Sequence, residues 1–128
     1  AQKLNNPKAV ALAFSDIGNC YTRVNKLNEA LDYHKKAYSL RKQLGMDLKA
    51  AGSLSNISII YKQQGNFKTS AEYMMKALRI YESKNDSVMQ ALVKGNLANL
   101  YLNMNKPAIA KKYLDESFKI SKSKNPRK

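Results

Sequence analysis

Three stretches of the chain, Phe14-Ser15-Asp16-Ile17-Gly18-Asn19-Cys20-Tyr21, Leu54-Ser55-Asn56-Ile57-Ser58-Ile59-Ile60-Tyr61 and Lys94-Gly95-Asn96-Leu97-Ala98-Asn99-Leu100-Tyr101, lie 40 residues apart and align without a gap. Each reads large, aliphatic, small, aromatic, with Lys94 departing from an apolar first residue. Nine residues beyond each tyrosine stands a small residue, Ala30, Ser70 or Ala110, and seven further on another, Ala37, Ala77 or Ser117. Self-similarity at such a period marks stacked supersecondary units.

Small residues at fixed spacing allow two antiparallel helices to approach closely, while aromatic rings fill the space beside the crossing. Helix-period apolar spacing agrees. Leu12, Ile17, Tyr21 and Val24 on one helix, and Leu27, Leu31, Tyr38 and Leu44 around the next, are expected to face a core. The pairs Asn25-Lys26, Gly65-Asn66 and Asn105-Lys106 supply residue types that tolerate positive φ and stop a helix. Six helices are therefore predicted, at about residues 8–24, 28–44, 48–64, 68–84, 87–104 and 107–123.

Within a period the order of large, aliphatic, small, aromatic, then small, aromatic, small is that of the tetratricopeptide repeat, which the chain resembles over nearly its whole length. Phe14, Leu54 and Lys94 stand at the Trp position of that pattern, Gly18 is the single glycine at its small position, and no Pro closes a repeat. The period exceeds the usual value of about 34 residues. The excess is read as extra helical turn between repeats, similar to the longer repeats of kinesin light chains. The resemblance implies an all-α fold, a right-handed superhelical solenoid of three antiparallel helix-turn-helix repeats with six helices. It would form a single domain over residues 1–128, with repeats at about 10–49, 50–89 and 90–125. Gln2-Lys3-Leu4 falls in phase with Lys42-Gln43-Leu44, and no capping helix follows Ser123, so a fragment of a longer array with other domains beside it is expected. Such arrays also resemble regulatory segments of bacterial histidine kinases and helix-turn-helix regulators.

The residues best suited to chemistry are His34 and Cys20. His34 is in phase with Met74 and Leu114, and Cys20 with Ile60 and Leu100, so both are expected in packing positions. Asp115 and Glu116 are adjacent on a helix and do not face each other. No Gly-rich phosphate loop and no convergent ligand set is present. Accordingly no catalytic residue, cofactor or metal is expected. A single Cys excludes an internal disulfide and leaves the compartment open. With no run apolar enough to span a bilayer and no signal-peptide pattern, a soluble domain is expected, cytoplasmic rather than periplasmic.

In the resembled family the working surface is the concave groove lined by the first helix of each repeat. That implies groove positions at Ser15, Asp16, Asn19, Thr22 and Arg23 in the first repeat and Ser55, Asn56, Ile59, Lys62 and Gln63 in the second. The third repeat contributes Gly95, Asn96, Asn99, Leu102 and Asn103. Asn19, Asn56, Asn96 and Asn99 would form a row of amides, each able to donate and accept. The row resembles the asparagine ladder of kinesin light chains, which holds a partner's main chain. Ile59 would take an apolar side chain, and Arg23 and Lys62 would favour acidic ones. The related carboxylate clamp for chaperone tails is not expected, because Ser15, Leu92 and Asn96 occupy its cationic positions.

Charge supplies the competing reading. With 23 Lys and Arg against nine acids the net charge is +14, which favours acidic protein partners, nucleic acid or an anionic surface. Lys35, Lys36, Arg41, Lys42, Lys76, Arg79, Lys111, Lys112 and Lys119 fall on second helices, whose exposed sides are expected to face outward. Eight cations lie between Lys106 and Lys128. Tyr33, Tyr73 and Tyr113 are in repeat phase and so are assigned to packing rather than to stacking on bases. The sequence thus points to a non-enzymatic protein–protein interaction module that binds a peptide segment in its groove. The alternative is a basic nucleic-acid-binding domain using the convex and C-terminal lysines.

Overall fold

Each of the six helices is 17 residues long: α1 Pro7–Arg23, α2 Leu27–Gln43, α3 Asp47–Gln63, α4 Phe67–Ser83, α5 Ser87–Asn103 and α6 Pro107–Ser123. They come from a computed structural model, which describes residues 6–123. All twelve ends fall within one residue of the expected positions. The phase of Gln2–Leu4 and the lysines and arginine after Ser123 lie outside the described residues.

The stops share one chemistry. Asn25, Gly45, Gly65, Asn85 and Asn105 all adopt positive φ, between 57° and 80°. In each case that residue's N–H bonds the carbonyl three residues back and the next N–H bonds the carbonyl five back, as in Asn25 N to Thr22 O and Lys26 N to Tyr21 O. These are paired C-terminal caps, at which Gly and Asn accept the left-handed conformation most readily. Gly45 and Asn85 close the second helices just as the anticipated residues close the first. The extra length of the period is helical, as expected. It lies in two equally long helices, joined throughout by connections of the same form. Starts are marked by Asn6, Asn66 and Asp86, whose side chains accept from Ala9, Thr69 and Met89 N–H groups.

Helices pack on their chain neighbours, as a solenoid requires. Small residues stand at the crossings inside the repeats: Ser58 meets Ser70, Ala98 and Ala110 border one hollow, and Gly18 lies against the His34 ring. The Ser58 and Ser70 hydroxyls are fully buried and donate to each other's backbone carbonyls at 2.8 and 2.7 Å, so close approach leaves no polar group unpaired. Beside the crossings Tyr21 stacks on Tyr33, Tyr61 on Tyr73 and Tyr101 on Tyr113, with centroids 5.7, 5.5 and 5.7 Å apart. The tyrosines thus do the packing their phase implied. Lys94, at the large position, pairs with Glu116 at 3.1 Å.

The apolar face expected on α1 is a correction. Leu12, Ile17 and Val24 are 52%, 39% and 64% exposed, and Cys20 is exposed as well. In later repeats the equivalents of Ile17 and Cys20, namely Ile57 with Ile60 and Leu97 with Leu100, are fully buried because a preceding second helix covers them. Among the described residues nothing precedes α1, so its stripe meets solvent. A mirror exposure occurs on α6, where Leu114 and Phe118 occupy the positions of buried Met74 and Leu78.

Candidate peptide-binding groove

The first helices α3 and α5 each turn a polar-apolar stripe toward the same side, and between them runs a groove of about 610 Å³. Its walls bring together Ser55, Asn56 and Ile59 of α3 with Leu92 and Asn96 of α5. Asn56 is half-buried and Asn96 exposed, so both amides reach open solvent while anchored on rigid helices. Ser55 donates to Met74 Sδ at 3.9 Å, which ties it to the core rather than to a ligand. Ile59 and Leu92 are 43% and 55% exposed and form an apolar shelf beside the amides.

The remaining expected residues are distributed differently. Lys62 Nζ reaches from α3 to α5 and donates to Asn99 Oδ1 at 2.7 Å; Asn103 Nδ2 donates to the same oxygen at 3.4 Å. That network leaves the Asn99 NH₂ group to donate outward. Asn99 also borders a second hollow of about 300 Å³ with Leu102, Ala110 and Leu114, on the C-terminal side of the solenoid. Gln63 is exposed in the last turn of α3. In the first repeat, Asn19 is exposed, while Arg23 folds back so that its guanidinium donates to Cys20 Sγ at 3.5 Å. Ser15 is only 6% exposed, so it is a small residue at a helix contact and not a groove surface.

Sequence reasoning missed the groove floor. Arg41, counted among the outward cations, is only 6% exposed and turns inward to line the groove. Its Nη1 donates to the Ser53 hydroxyl at 2.9 Å. Leu48, Gly52 and Met89 complete that floor. The available signal was repeat phase: Arg41 aligns with Tyr81, a buried position, and Gly52 aligns with Leu12 and Leu92, so a side chain is missing there. Burial holds the Arg41 guanidinium below its usual pKa, with the Asp16 carboxylate acting in the opposite sense.

The second helices have another character. Lys36 lies over the Tyr33 ring and Lys76 over the Tyr73 ring, with Nζ 4.8 and 4.9 Å from the centroids, and Lys35 Nζ donates to the Tyr61 hydroxyl. Lys111 pairs with Asp115 on the surface. His34 is buried, as its phase implied. Among the described residues no group of three or more His, Cys, Asp or Glu could hold a metal ion, and no helix is long and apolar enough to cross a membrane.

Stacked antiparallel helix pairs define a helical-repeat protein. Profiles of the tetratricopeptide repeat match residues 49–123 and 10–44, and the chain belongs to the tetratricopeptide repeat family. It is similar to response regulator aspartate phosphatase A of Bacillus subtilis (strain 168), 29% identical over 73 residues, which is 57% of this chain and 19% of that protein. Its fold is similar to aspartyl phosphate phosphatase F from Bacillus subtilis, with a TM-score of 0.90 at 14% identity, covering 97% of this chain and 32% of that one. The TPR2AB domain of yeast Sti1, solved in a pHSP90 complex, gives a TM-score of 0.76 at 17% identity, covering 88% of this chain and 41% of that one. Domains of this family generally mediate protein–protein interactions.

Proposed function

We propose that the chain is a protein-interaction module, without enzymatic activity of its own, that captures an extended peptide segment of a partner in the concave groove. The observation that carries the reading is the convergence of Asn56 and Asn96 on one groove, with Ile59 and Leu92 beside them. A primary amide donates and accepts at once, which matches the alternating N–H and C=O of a peptide main chain. The apolar shelf then takes side chains that alternate along the same peptide. Asn99, with its oxygen held by Lys62 and Asn103, extends the row as a donor. The exposed Lys62 and Arg23 favour acidic sequence. The solved pHSP90 complex of the yeast Sti1 domain supports peptide capture on this fold, and the likeness to response regulator aspartate phosphatase A supports a regulatory setting.

The test begins with panning of a random peptide library displayed on phage against the immobilised protein. Affinities of the selected peptides are then compared between wild type and the Asn56→Ala/Asn96→Ala/Asn99→Ala variant. Each lost hydrogen bond weakens binding by about 0.5–1.5 kcal/mol, so the triple variant should bind at least about tenfold more weakly. The three side chains carry no core packing, and the variant should keep its helical circular dichroism. Equal affinity on both proteins would overturn the reading.

A further inference from the structure

Arg41 sets the groove apart from an ordinary polar surface. It leaves the C-terminal turn of α2, is only 6% exposed, and lines the groove floor. Ser53 takes one of its donors, yet Nε is buried with no hydrogen-bond partner, and among the described residues Arg41 forms no salt bridge. The acidic residue that also lines the groove, Asp86, is engaged in capping α5 through the Met89 N–H. A guanidinium removed from water with no carboxylate in salt-bridge reach, Asp16 acting only through space, is unfavourable, and an arriving carboxylate would relieve that condition with a bidentate contact. Above the floor there is room for one. A Cβ added at Gly52 would meet nothing within 4 Å, although glycine weakens a helix interior and the same repeat position carries Leu12 and Leu92 elsewhere.

We propose that Arg41, in the notch left open by Gly52, is the selectivity anchor of the groove and binds an Asp or Glu side chain of the captured peptide. The inference rests on the peptide-capture reading: Asn56 and Asn96 hold the main chain in the same groove, so the group that reaches the floor is a side chain. Lys49, which also borders the groove, adds a second positive charge near the entrance. Net charge of +14 draws acidic segments toward the protein, and Arg41 fixes where along the segment the acid must fall.

A positional library of acetylated, amidated decapeptides, each with one fixed residue and the rest randomised, is applied to wild type, Arg41→Met, Arg41→Lys and Gly52→Leu. Wild type should enrich Asp or Glu about tenfold or more over Asn or Gln at one register. Arg41→Met and Gly52→Leu should lose that enrichment and still retain peptide, whereas Arg41→Lys should keep part of it. Thermal unfolding controls for folding, and Arg41→Met should melt no lower than wild type because an unpaired buried charge is replaced by an apolar chain of similar length. Acidic enrichment that persists in Arg41→Met, or wild-type retention without acidic preference, overturns this inference alone. Retention of no peptide by any of the four proteins overturns the capture reading together with it.

Discussion

Gly18 faces a ring with no room to spare: a Cβ there would lie 2.7 Å from two atoms of the His34 imidazole. Gly18→Ala should therefore destabilise the protein by about 1–3 kcal/mol, measured by urea unfolding, because the added methyl overlaps a fully buried ring. His34 itself is 1% exposed with Nδ1 unpartnered, and burial, reinforced by the Arg41 guanidinium, lowers its pKa. The folded state thus prefers the neutral ring. Above the ordinary histidine pKa of about 6.5 the stabilisation is fully present; below it the unfolded chain takes up the proton first and stability falls, until the folded protein protonates too. Melting temperature should drop between about pH 7.5 and pH 5.5 by more in wild type than in His34→Met, which restores the residue type found at Met74. Phase within the repeat made the burial of His34 legible. The same phase pairs Arg41 with buried Tyr81, but a cation on a second helix reads as solvated until Gly52, aligned with Leu12 and Leu92, is known to leave a hollow beside it.

Every helix is a 17-residue element, the first five are closed by the same left-handed stop, and equivalence between elements is the strongest internal control the molecule offers. Ile17 and Ile57 occupy one repeat position, yet the first is 39% exposed and the second fully buried. Ile57→Ala should cost about 2–5 kcal/mol by cavity formation, while Ile17→Ala should cost under about 1 kcal/mol, both read from chemical unfolding midpoints. Comparable losses at the two sites would contradict the described end face of α1. Helix bounds, small-residue crossings and stacked tyrosines were all visible as period and residue type. The exposure of Leu12 and Val24 was not, since helical periodicity reports an apolar face without saying whether another helix covers it.

At the scale of the whole chain, two surfaces divide the chemistry. The second helices carry lysines laid over tyrosine rings, and the groove between α3 and α5 carries amides, an apolar shelf and one buried guanidinium. The asparagine row was legible because Asn recurs at fixed helical phases. Its grouping was not: Asn56 and Asn96 share the main groove, Asn99 is drawn into a network with Lys62, and Asn19 stands apart in the first repeat. Net charge of +14 was plain from composition, but composition does not say which surface a partner uses. The direct comparison is the affinity of one selected peptide for wild type, for Asn56→Ala/Asn96→Ala, and for Lys111→Ser/Lys112→Ser/Lys119→Ser, at about 50 and 200 mM salt. Groove capture predicts a loss of about fivefold or more in the asparagine variant, little change in the lysine variant and a shallow salt response. Binding that survives in the asparagine variant, collapses in the lysine variant and falls steeply with salt would contradict it.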